Sequence, residues 1–127
     1  MKEFMFFIRK QSNSADTLSP ERFKQFLKAC EIYIENLKQQ GKLISAKPIV
    51  WSGNIISGKP GRWTEKTYNE SGEVIGGYYH ILARDIDEAM DIAKENPEFT
   101  FNENTRIEVR PVKMKEEQTG YAYPSEK

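Results

Sequence analysis

Apolar and polar positions alternate along this chain in two similar passes of strand, helix and strand, separated by a turn-rich middle. In the first pass Phe4, Phe6 and Ile8 alternate with Met5, Phe7 and Arg9, which predicts a central strand over residues 3–9, apolar on both faces until Arg9. A polar loop over 10–17 follows. Phe23, Phe26, Leu27, Cys30, Tyr33, Ile34 and Leu37 then recur at the three-and-four spacing of one helical stripe. Ser19 is placed to cap that helix, Pro20 suits its first position, Leu18 can staple onto Phe23, and Gly41 supplies a stop. Residues 42–50 set Leu43, Ser45 and Lys47 against Ile44, Ala46 and Pro48, a second strand whose proline argues for an edge.

Turn signals at Ser52-Gly53-Asn54, Gly58-Lys59-Pro60-Gly61 and Asn69-Glu70-Ser71-Gly72 cut the middle into short pieces, 55–57 and 63–68. They predict an inserted β-hairpin lobe at about 51–72. The second pass opens with a strand over 75–84. Asp85 then caps a short helix, with Glu88 three residues on and Ile86, Ala89, Met90, Ile92 and Ala93 as its apolar face, and the helix stops before Asn96-Pro97. After a loop at 98–104, residues 105–112 set Ile107 and Val109 against Arg106, Glu108 and Arg110, a strand with one dry face. Residues 113–127 are charged and aperiodic and read as a flexible tail, leaving 1–112 as a single domain.

This order predicts an α+β fold: a ferredoxin-like split βαβ antiparallel sheet with two helices on one face and the hairpin inserted. Alternation sends Met5, Phe7, Arg9, Tyr78, His80, Leu82, Arg106, Glu108 and Arg110 to the face without helices. A half-apolar sheet face of this kind implies a homodimer packed sheet to sheet.

Composition narrows the function. At 127 residues the chain suits one domain, and 19 Lys plus Arg balance 19 Asp plus Glu, so no net field favours nucleic acid or an anionic membrane. The single cysteine forms no internal disulfide, and no apolar run is long enough for a signal peptide or membrane span, which fits a cytoplasmic protein. One His and one Cys make no metal site, no phosphate-loop spacing surrounds the glycines, and no cofactor is expected. No Gly-x-Ser-x-Gly turn is present, and Ser12, Ser14 and Ser71 read as loop residues. Cys30, on the core side of its stripe and without a cationic or His neighbour in sequence, reads as a small buried thiol.

Three features hold candidate chemistry, each with a plainer reading beside it. His80, the only histidine, shares the helix-free face with Arg9 and Glu108; the trio suits proton transfer on a small anion, or a histidine hydrogen-bonded within an interface. Gly76-Gly77 suits a β-bulge or a close approach by a ligand. Trp51, Trp63 and Tyr68 suit the wall of a pocket, or packing of the lobe onto the body. Candidate ligand-binding residues are therefore Tyr78, Trp63, Tyr68, Glu65 and Arg106.

The run of Phe-Met-Phe-Phe-Ile-Arg, Leu-Ser-Pro-Glu-Arg-Phe, Gly-Lys-Leu-Ile-Ser-Ala, Glu-Val-Ile-Gly-Gly-Tyr-Tyr, Asp-Ile-Asp-Glu-Ala-Met-Asp-Ile-Ala, Asn-Pro-Glu-Phe and Ile-Glu-Val-Arg-Pro-Val resembles the YCII-related, or DGPF-domain, family. The resemblance implies a dimeric α/β barrel built from two ferredoxin-like protomers. Where the DGPF branch has Asp-Gly-Pro-Phe, this chain has Glu65-Lys66-Thr67-Tyr68, keeping an acid and an aromatic; Glu70 and Glu73 fall where that branch has acids. The His and Asp pair of other members is associated with the first helix, where this chain has no His, so that dyad does not transfer. Two functions follow: a homodimer binding a small organic ligand or a protein partner, and a cofactor-free isomerase or lyase using His80, Arg9 and Glu108, or the 65–68 segment, on a small organic acid.

Overall fold

The computed structural model describes residues 1–11, 18–68 and 72–124. Much of the loop expected at 10–17, most of the turn at Asn69-Glu70-Ser71, and Ser12, Ser14 and Ser71 lie outside the described residues. The elements in chain order are β1 (Lys2–Gln11), α1 (Pro20–Gln39), β2 (Leu43–Pro48), β3 (Gly53–Lys59), β4 (Arg62–Tyr68), β5 (Glu73–Ala83), α2 (Ile86–Lys94), α3 (Glu98–Phe101) and β6 (Arg106–Pro111). No described helix is long and apolar enough to cross a membrane.

Both long helices begin as their sequences dictate. Ser19 Oγ accepts the Arg22 N–H at 3.1 Å, and Pro20 takes the first helical position, where its missing N–H costs nothing. At the far end Gly41 adopts φ +70°, which lets its own N–H reach Lys38 O at 3.0 Å and the Lys42 N–H reach Leu37 O at 2.9 Å. In α2, Asp85 Oδ1 accepts the Glu88 N–H at 2.9 Å, while Glu88 Oε1 reaches back to the Arg84 N–H at 2.7 Å, one residue beyond the partner of a regular capping box.

The main sheet is antiparallel, in the order β2-β5-β1-β6, and among the described residues β3 and β4 pair only with each other. Phe4, Phe6 and Ile8 of β1 and Tyr79, Ile81 and Ala83 of β5 turn to one face, where they meet Tyr33, Leu37, Ala89, Ile92 and Ala93 from α1 and α2. Phe6 and Ile81 are wholly buried, each side chain contributing about 1.5–3 kcal/mol by leaving water. Ile107 and Val109 of β6 pack against this core as their alternation requires.

The helical stripe of α1 is buried over only half its length. Tyr33 and Leu37 are sealed, whereas Phe23 and Leu27 remain 48% and 50% exposed. The difference lies in what backs each half: Tyr33 donates its hydroxyl to Ile92 O of α2 at 2.7 Å. The opening turns instead meet Phe101 of the four-residue α3, whose ring lies 5.5 Å from Phe26. That helix stands where a loop was expected at 98–104.

The expectation of a dimeric α/β barrel is corrected. The sheet is an open four-stranded layer, with β2 and β6 each paired on one side only among the described residues. Both edge strands are six residues long and end at a proline, Pro48 and Pro111, which blunts further pairing. The helix-free face is also less bare than alternation implied. Leu82 and Glu3 are buried there, Met5, Phe7, Tyr78 and His80 are only partly exposed, and an ion network occupies the rest. The chain is an α+β fold with an open antiparallel sheet. In the segment read as a tail, Lys115 and Ala122 form a β-bridge, and Tyr123 bonds Glu116 through its hydroxyl and Met114 O through its N–H.

Candidate functional site

Where α1 lifts from the sheet, a cleft of about 430 Å³ opens between Phe26, Cys30 and Ile34 on the helix and the β2–β5 edge below. A register shift shapes its floor. Ile8 pairs with Gly77 but Arg9 pairs with Ile75, so Gly76 is the extra residue of a β-bulge. A Cβ on Gly77 would sit 3.1 Å from Lys47 O, and one on Gly76 would sit 2.9 Å from Lys10 Cγ and 3.0 Å from Trp51 Nε1. The glycine pair therefore lets strand β2 and the Trp51 ring close onto β5, combining the bulge and close-approach readings, and the approaching backbone is the protein's own.

A second cavity, also about 430 Å³, lies beyond Phe26 and is walled by Lys10, Phe23, Trp51 and Thr105. Phe26 lines both. Lys10, in the wall of one cavity, forms a salt bridge with Glu98, in the wall of the other, and its ammonium lies 5.7 Å from the Phe26 ring centre.

The first cleft is lined by protonated groups. Burial, with Glu98 adding and Lys10 opposing, pushes the Cys30 thiol up to about 11, so it carries its proton at neutral pH. Burial likewise pushes the phenol of Tyr79, which lines the cleft, and that of Tyr33, which lies outside its lining, well above their ordinary range, while the Asn96 amide acts to hold both down. The site offers apolar surface and hydrogen-bond donors, and no thiolate.

On the opposite face the bulge has a second effect. It turns Glu73 outward, where its carboxylate meets Arg106 Nε and Nη2 at 2.7 Å and Arg9 Nε at 2.7 Å. Arg106 first and Arg9 second hold that carboxyl down to about 2. Arg9 also binds Glu108 at 2.7 Å through Nη1. Of the trio read from alternation, Arg9 and Glu108 are thus joined, whereas His80 is held elsewhere. Its Nε2 lies 2.7 Å from Glu3 Oε1, in a pair whose side chains are only 13% and 6% exposed. The register explains the separation, because His80 lies opposite Met5 on β1 while Glu108 lies opposite Phe7 from the far side. His80 borders neither of the two cavities.

Among the residues chosen as ligand contacts, Tyr78 borders the cleft, with its hydroxyl 3.0 Å from Ser45 Oγ. Arg106 belongs to the ion network. Trp63 and Glu65 stand on the hairpin opposite Gly58 and Ile56, Trp63 being 55% exposed, and Tyr68 closes β4 opposite Gly53. It is Trp51 that reaches the body, while Cys30 and Tyr79 line the cleft unannounced as site residues. Counting one extra residue at Gly76 was the signal that could have placed Glu73 with the arginines. Among the described residues no group of three His, Cys, Asp or Glu side chains is placed to hold a metal ion.

Compared with models of protein families, residues 3–114 match the YCII-related domain. No curated protein matches the chain.

Proposed function

The chain belongs to the YCII-related domain family, and on that premise we propose that it binds a small organic ligand in the cleft between α1 and the β2–β5 edge. One observation carries this reading: Leu27 of α1 is left half-exposed beside Phe26, Cys30 and Ile34, and an apolar space of about 430 Å³ between them and the β2–β5 edge is not filled by the chain. A binding role also agrees with the lack of a histidine near α1. The alternative, proton transfer by His80 with Arg9 and Glu108, has less behind it, since His80 is tied to Glu3 and lies away from both cavities beneath α1.

A thermal-shift screen of small metabolites tests the reading. A ligand present at about a hundredfold its Kd adds about 2.7 kcal/mol of stability. Ala46 lines the cleft, so Ala46→Phe places a ring in the space and is expected to abolish every stabilising hit. Hits of undiminished size in that variant would move the ligand out of the cleft and defeat the proposal.

A further inference from the structure

The two cavities beneath α1 follow one another along the helix. Pro20, Phe23 and Phe26 border the second cavity, while Phe26, Leu27, Cys30, Ile34 and Lys38 border the cleft. Phe26 is therefore the helix's share of the partition between them. Below it the Lys10–Glu98 salt bridge joins a wall of one cavity to a wall of the other, and Trp51 of the second cavity closes on Gly76 of the cleft. Phe23 and Phe101 brace the Phe26 ring, with ring centres 6.2 Å and 5.5 Å from its own. From Phe26 to Lys38 the helix rises about 18 Å. A space of about 430 Å³ drawn out along that wall suits a chain rather than a compact ring system.

Charge gives the chain a direction. Of the three carboxylates in the cleft walls, Glu31 is paired with Lys28 and Glu98 with Lys10. Among the described residues no salt bridge closes on the third, Glu35, or on the two lysines of the walls, Lys38 and Lys47. Two unpaired ammonium groups against one unpaired carboxylate leave the cleft with a surplus of positive charge. Lys38 stands at the end of the helical wall farthest from Phe26, Lys47 belongs to the β2 edge, and both are exposed. An acid group there gains attraction and keeps its water, whereas at the Phe26 end it would be buried beside a lysine already engaged by Glu98. Building on the ligand-binding reading above, we infer that the cleft takes an unbranched aliphatic carboxylic acid, and that Phe26 sets the longest chain it accepts. The carboxylate rests at the Lys38 end, the chain runs inward past Ile34 and Cys30, and its terminal methyl group stops against the Phe26 ring.

Calorimetric titration of the full chain with octanoate, decanoate, dodecanoate and tetradecanoate, each below its micelle threshold, reads both ends of the bound chain. Affinity should rise about fourfold with each added methylene up to one length and then level off. Phe26→Ala should join the two cavities and move that ceiling to a longer acid, leaving octanoate binding unchanged. A series without a ceiling, or a ceiling that Phe26→Ala does not move, overturns the stop at Phe26. Should that variant fail to fold, Phe26→Leu, shorter and still apolar, must shift the ceiling in the same direction or the stop is equally overturned. For the other end, decanoate should bind about fivefold more tightly than 1-decanol, with decylammonium weakest, and Lys38→Gln should erase the advantage over the alcohol. Equal binding of acid and alcohol, or tightest binding of decylammonium, overturns the acid. If no acid of the series binds while the metabolite screen still returns hits that Ala46→Phe abolishes, the inference falls and the ligand-binding reading stands. If the screen is blank as well, both fall.

Discussion

Glu73 shows how one side chain couples the bulge to the surface. Its carboxyl falls from the ordinary 4.5 to about 2 because Arg106, and then Arg9, favour the ionised form. A carboxyl whose pKa is depressed on folding adds stability above its unfolded pKa and loses it as pH drops through the folded one. The native protein should thus lose resistance to urea between pH 4.5 and about 2, and Glu73→Gln should flatten that part of the profile. An unchanged profile in the variant would mean that the two arginines do not grip Glu73 in solution. The same side chain marks where sequence reading stopped. Strict alternation along 73–83 sends Glu73 to the helix side, and only the extra residue at Gly76 returns it to the arginines.

Within single elements the apolar pattern was a sound guide, because the residues that make a strand or helix amphipathic are neighbours in sequence. Both helix starts, the alternation of Phe4, Phe6 and Ile8, and the Tyr79, Ile81, Ala83 row all lie where spacing put them. The cleft was not legible. A helical stripe reports which side of α1 is apolar, but not that α2 backs only Tyr33 and Leu37 while Phe23 and Leu27 are left uncovered. The barrel was misjudged for a related reason: alternation identifies an apolar face without saying how far the chain itself covers it. Deleting Gly76 tests whether it is the extra residue of β5. Ile75 then follows Gly77 directly, and regular alternation keeps Ile75 and Glu73 on the helix-free face, so the acid-sensitive step assigned to Glu73 should persist in the urea profile. Loss of that step in the variant would show that the extra residue lies elsewhere in the strand.

At the scale of the whole molecule the chain has a body and an appendage. The four-stranded sheet and its helices form the body, while β3 and β4 contact each other and little else, with Ile56 62% and Trp63 55% exposed. Gly58 and Gly61, at φ +117° and +83°, let the hairpin turn; a Cβ on Gly58 would lie 2.1 Å from Arg62 O. A two-stranded hairpin without further support is marginal in water. Its amides should accordingly exchange far faster than those of β1 and β5. Replacing residues 53–68 by a short Gly-Ser linker should change the unfolding free energy by no more than about 0.5 kcal/mol. A substantially larger loss would show that the lobe supports the body after all.

The hairpin tip also divides the chain in an informative way. Everything before it supplies β1, α1 and β2; everything after it supplies β5, α2, α3 and β6. Neither portion makes the central sheet, because among the described residues β1 finds both of its neighbours, and β2 its only one, on the far side of the division. Cut at Pro60-Gly61, the protein would be two fragments whose only stable meeting is with each other, a natural seam for a split reporter whose reassembly rebuilds the cleft.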